Sequence, residues 1–85
     1  MNKSTAQVLF FAAVRDLVGT HETAIQIDGE QTTIGALRCR IIERFPVIGQ
    51  VVRSLRFAVN GEYASDTDTV RAGDEVAVIP PVAGG

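Results

Sequence analysis

The last six residues, Pro80-Pro81-Val82-Ala83-Gly84-Gly85, hold the arrangement in this 85-residue sequence whose residue types point most directly to a chemistry. At an average glycine usage of about 7%, two terminal glycines arise by chance in roughly one chain in 200. Glycine has no β-carbon, so its backbone and carbonyl can come close to another protein's catalytic groups. Pro80-Pro81 fixes two φ angles and makes a stiff stem for the last four residues. A free carboxylate on Gly85 is a poor electrophile. ATP-dependent adenylation converts it to an acyl-adenylate with AMP as leaving group, and an incoming sulfur then leaves a thiocarboxylate, whose sulfur is a far better nucleophile than carboxylate oxygen. Gly85 is therefore the expected reacting residue, and Gly84 lets it thread a narrow passage.

Other chemistry is poorly provided for. His21 is the only histidine and falls in a polar loop, where a solvated side chain is the ordinary reading. Asp16, Glu22, Asp66, Asp68, Asp74 and Glu75 are scattered through turns and element ends. There is no metal-ligand spacing, no nucleophile-base set and no glycine-rich phosphate loop before a helix. Cys39 is the only cysteine, so it can form no internal disulfide, and it reads as a semi-buried helix residue. Arg38, Arg40 and Arg44 are interrupted by Glu43 and read as a solvated helix face. With a net charge of −2, nothing marks a nucleic-acid surface. No apolar run approaches the ~18 residues that span a membrane, and no signal peptide is visible, so the expected location is cytoplasmic.

The elements that must carry the tail can be read from periodicity. Gln7 to Ala12 is a strand with Val8, Phe10 and Ala12 on one side and Leu9 and Phe11 on the other, apolar on both faces and hence central, or covered on one face by something outside the chain. A short helix over 13–19 ends on Gly19. Thr23 to Asp28 alternates, with Ile25 and Ile27 inward, as an edge strand does. The main helix, 33–45, places Ile34, Leu37, Ile41, Ile42 and Phe45 on one stripe and is stopped by Pro46. Two residues sit badly in it: Gly35 weakens the first turn, and Arg38 falls within the stripe. Val47 to Leu55 reads as one further helical turn and a connection. Arg56 to Val59, the Asn60-Gly61 turn and Glu62 to Ala64 form a hairpin. Asp66 to Asp74 reads as a polar loop, and Glu75 to Ile79 as a last strand, again apolar on both faces. The first and last strands belong side by side and parallel in the middle of a mixed sheet with one helix across it. The fold class is α+β, a β-grasp, with residues 1–85 as a single domain and 80–85 as its flexible tail.

Two blocks, Leu9 to Gly19 (LFFAAVRDLVG) and Gly73 to Gly85 (GDEVAVIPPVAGG), resemble the small, sulfur-carrier subunits of molybdopterin synthases, the MoaD/ThiS family. The likeness in length and element order covers essentially the whole chain. It implies a ubiquitin-like β-grasp fold, and that a MoeB-type enzyme adenylates Gly85 and a sulfur donor converts it to a thiocarboxylate. The loaded carrier then docks on the large synthase subunit, in an assembly of two small and two large subunits. Sulfur passes to cyclic pyranopterin monophosphate in molybdenum cofactor biosynthesis. The chain is then no enzyme on its own and binds no cofactor itself; ATP and Mg²⁺ are used by the activating partner. In the family the residue before Pro-Pro is often aromatic, whereas here it is Ile79. A sulfur carrier for thiamine, cysteine or tRNA thiolation shares the tail, as does a ubiquitin-like modifier joined to lysines.

A single helix covers only one side of a sheet. The other side is expected to expose an apolar partner-binding face with Phe11 and Ile79, rimmed by charges such as Arg15, and continuing into Pro80, Pro81 and Val82.

Overall fold

The computed structural model describes residues 4–81. Strands β1 (Thr5–Phe10), β2 (Glu22–Gln26), β3 (Gln31–Thr33), β4 (Arg56–Val59), β5 (Glu62–Ala64), β6 (Thr69–Arg71) and β7 (Glu75–Ile79) accompany helices α1 (Ala12–Val18) and α2 (Ile34–Arg44). The main sheet has the order β2-β1-β7-β4-β5. At its centre β1 and β7 run parallel, with Val8 opposite Val76 and Leu9 opposite Ala77. Every other pairing in it is antiparallel. The two strands apolar on both faces are thus the central pair, and the alternating β2 is an edge, as their patterns require.

Helix α2 lies against one face. Ile34, Leu37 and Ile41 are buried there with Val8, Phe10, Val76 and Val78. Fully burying a side chain of this size stabilises by about 1.5–3 kcal/mol, which makes this layer the source of cohesion in so short a chain. Thr33 caps the helix, its Oγ1 accepting from the Ala36 N–H at 3.2 Å. At the other end Phe45 meets Phe10 edge-to-face, ring centroids 5.3 Å apart. Helix α1 stops on Gly19 at φ 84°, whose N–H bonds back to the Arg15 carbonyl.

Several expectations are corrected. β1 ends at Phe10, and Ala12, expected to continue the strand on the side of Val8 and Phe10, instead opens α1 with φ 50°. The left-handed backbone there is a steric cost for a residue with a Cβ, and it turns the chain sharply from sheet to helix. Between Pro46 and Ser54 the chain forms two 3₁₀ turns that drive Ile48 fully into the core. The expected polar loop 66–74 contains β6, which pairs with β3 and buries Val70. Cys39 is exposed.

Candidate functional site

The face of the main sheet away from α2 carries a row set by strand register. Leu9 on β1, Ala77 on β7 and Ala58 on β4 stand abreast, and Tyr63 on β5 lies next to Ala58. Alternation along each strand decides this: Val8, Val76, Val78 and Phe57 point into the core, so their neighbours point out. A shallow depression over this row is also lined by Phe11 and Ile79. Phe11 and Tyr63 are its most exposed large members, at 48% and 68%. The Phe11 N–H donates to the Val78 carbonyl at 3.2 Å, which holds Phe11 at the end of β1 beside the end of β7. Apolar side chains left open together on one face make it the candidate contact surface.

Charged residues frame the patch. Arg56 pairs in register with Ile79, and its guanidinium carbon lies 5.6 Å from the centre of the Tyr63 ring. Glu75 stands at the opposite end of β7, and Glu22 beside Leu9 on the β2 edge, where its carboxylate accepts from Gln7 Nε2 at 2.6 Å. Arg15 is elsewhere: it lines a separate depression with Asp16, Gly19 and His21.

The exit of the chain from β7 is also shaped. Pro80 and Pro81 run past an apolar groove made by Ala13, Val14 and Leu17 of α1 and by Val51 and Leu55. The stem therefore leaves the body between α1 and the 3₁₀ segment, immediately after the open face ends at Ile79. Val82, Gly84 and Gly85 lie outside the described residues. Of the expected site residues, the fold brings together Phe11, Ile79, Pro80 and Pro81, and sets Arg15 apart. It adds Leu9, Ala58, Ala77, Tyr63 and Arg56. The hairpin turn at Asn60-Gly61 held the missing signal, since a two-residue turn fixes Val59 opposite Glu62 and hence Ala58 opposite Tyr63.

A larger depression, about 510 Å³, lies between Tyr63, Asp68, Arg71 and Asp74. Two of its carboxylates are engaged locally, Asp74 with the Arg71 N–H and Asp68 with the Ser65 N–H, each at 2.8 Å. Among the described residues no group of three histidine, cysteine or acidic side chains is placed to hold a metal ion, and no helix is long and apolar enough to cross a membrane.

A mixed sheet with a parallel central pair, one helix across it and a tail leaving the last strand defines a ubiquitin-like β-grasp protein. The chain belongs to the ThiS family, whose model matches residues 8–85. It is 40% identical over 81 residues to the molybdopterin synthase sulfur carrier subunit of Escherichia coli (strain K12), covering 93% of this chain and 98% of that one. The subunit of the same name from Chlamydomonas reinhardtii is 38% identical over 82 residues, with 93% and 96% covered. Among solved structures, SAMP1 of Haloferax volcanii superposes with a TM-score of 0.85 at 26% identity, over 95% of this chain and 99% of that chain.

Proposed function

We propose that this protein is the sulfur-carrier subunit of a molybdopterin synthase. The observation that carries the reading is the continuity of the open apolar face, through Ile79, with the Pro80-Pro81 stem. A body that docks by that face aims the residues beyond Pro81 into its partner. The shared name of relatives at 38–40% identity over nearly the whole chain supports the same reading.

In this mechanism the Gly85 carboxylate attacks the α-phosphorus of ATP in an activating enzyme, forming the glycyl adenylate and releasing pyrophosphate. A donor's sulfur displaces AMP and leaves the thiocarboxylate. On the large subunit, that sulfur forms a carbon–sulfur bond to the pterin precursor as a carbon–oxygen bond there breaks and the oxygen leaves protonated. Hydrolysis of the resulting thioester returns the carboxylate and leaves the sulfur on the product. The chain supplies reach and recognition, and the partners supply catalytic groups, ATP and Mg²⁺. Each dithiolene takes two sulfurs, so the carrier works in cycles within an assembly of two small and two large subunits.

Intact-mass measurement on protein from cells with an active pathway tests this. Replacement of one oxygen by sulfur at Gly85, absent when the activating enzyme is deleted, is the expected result. Unmodified mass under all conditions would overturn it. A second reading, protein modification through Gly85, is favoured by the likeness to SAMP1, described as a small archaeal modifier protein. Ladders of lysine-linked conjugates on denaturing gels would establish that activity.

A further inference from the structure

We infer that Arg56, held over the Tyr63 ring, sets the rotational register of docking by pairing with a carboxylate on the partner surface. The inference rests on the reading that the open sheet face binds the large synthase subunit. An apolar patch alone attracts without direction, because the hydrophobic effect is proportional to area and carries no orientation. Productive delivery of a tail needs one orientation. The charges around this patch can supply it.

Arg56 projects from the same face as Ala58 and lies beside Ile79, one residue before the proline stem. Among the described residues it makes no ion pair, unlike Arg38 and Arg40, which are paired with Asp66 and Asp28. Its guanidinium instead rests against the exposed Tyr63 ring, 5.6 Å from the centroid. That contact limits the rotamers of a long side chain while leaving its donors free, so less freedom is lost when a carboxylate arrives.

The opposite end of the face is acidic. Glu75 begins β7 and Ile79 ends it, a span of about 13 Å at ~3.3 Å per strand residue. That exceeds the Debye length of about 8 Å at physiological ionic strength, so a partner senses two separate charges and not their sum. The fitting partner presents an apolar centre, a carboxylate near the point where the tail enters, and a cation toward Glu75, about 13 Å away at the same strand rise. Turned by half a revolution, the same surfaces would set like charges together.

The test is a titration of this chain against the large synthase subunit at about 50 and about 300 mM NaCl, which brackets the range over which exposed charges are screened. Wild-type affinity is expected to fall with salt. Arg56→Gln should bind more weakly at low salt, by about 5- to 10-fold, and show a flatter salt response. Arg56→Glu should lose more, about 10- to 100-fold, and recover when the facing acidic residue of the large subunit is changed to arginine. Tyr63→Leu keeps an apolar contact but frees the guanidinium. It should weaken binding by about 2- to 5-fold in the Arg56 background and have less effect in Arg56→Gln. Both residues are exposed, and thermal melts of each variant confirm that the fold is retained. Undiminished affinity and unchanged salt response in Arg56→Gln and Arg56→Glu would overturn the role of Arg56 and leave the docking face standing. Absence of any binding by the wild-type chain would overturn the docking reading itself, and this inference with it.

Discussion

Arg38 on α2 and Asp66 in the β5–β6 connection form a forked ion pair, Nη1 to Oδ1 at 2.5 Å and Nη2 to Oδ2 at 3.0 Å. The same Asp66 accepts the Gly35 N–H at its backbone carbonyl, at 3.0 Å. One residue of a loop thus ties down the first turns of the main helix twice. It also explains the two residues that sat badly in the helix pattern. Arg38 lies at the edge of the apolar stripe because its partner is there, and the pair raises its already high pKa further. Gly35 stands where the loop backbone passes close to the helix, with room for little more than a Cβ.

The space at Gly35 can be tested. A Cβ there would stand 3.4 Å from the Asp66 carbonyl oxygen, in ordinary contact. Gly35→Ala should be accepted, and should raise stability by up to about 1 kcal/mol through reduced backbone freedom in the unfolded chain. Gly35→Leu has no room beyond its Cβ in that direction and should lower the melting temperature. Equal destabilisation by both substitutions would show that the helix cannot tolerate any side chain at this approach.

Acid sensitivity should follow from two carboxylates. The Arg71 N–H foremost, and then the Asn60 side chain, hold the Asp74 carboxyl below the usual carboxylate range. The hydrogen bond from Arg38 does the same for Asp66. With folded-state values below the unfolded ones, the ionised forms favour the fold. Their contribution is complete above the unfolded pKa of about 4 and is lost as pH falls through the lowered folded values. Chemical denaturation should therefore give a level stability from about pH 7 to about pH 5 and a decline below about 4. Asp74→Asn should be less stable at neutral pH and show a smaller acid decline. An identical decline in the variant would remove Asp74 from the account.

Substitutions on the two sides of the sheet should separate binding from folding. Phe11→Asp and Ile79→Asp place a charge on the open face, and each should weaken binding to the large synthase subunit by more than about 10-fold while melting near the wild-type temperature. Leu37→Ala, on the covered side and fully buried, should cost about 2–5 kcal/mol of stability. Unchanged affinity for both aspartate variants would count against docking by the sheet face.

Docking and delivery should separate at the tail. Gly84→Ala should leave affinity for the large subunit nearly unchanged, as the proposed docking by the sheet face requires. Misplacing the reacting carboxyl by about 1 Å can cost on the order of 100-fold in rate. Single-turnover sulfur transfer from chemically thiocarboxylated protein measures this. Full activity in the variant would mean that the passage is not sterically gated, and parallel loss of binding would make the tail the main anchor.

The features legible in the sequence were those that rest on local pattern. β1 and β7 could be placed together because both are apolar on both faces, and only a central position covers most of that surface. The edge position of β2, the Gly19 cap and the Asn60-Gly61 turn follow from alternation and from residues suited to positive φ. The chemistry expected of Gly85 was read from residue types in a row, and it stands as the proposal made above. Features that only the tertiary structure decided rest on partners distant in sequence. β3 and β6 were hidden because Gln31–Thr33 and Thr69–Arg71 are short and mostly polar; they become strands only through hydrogen bonds to each other, with Val70 as the apolar residue that the pairing buries. The place of Arg56 was hidden for the same reason. Its charge says only that it is exposed, and it is the antiparallel register of β4 on β7 that sets it beside Ile79 at the root of the tail.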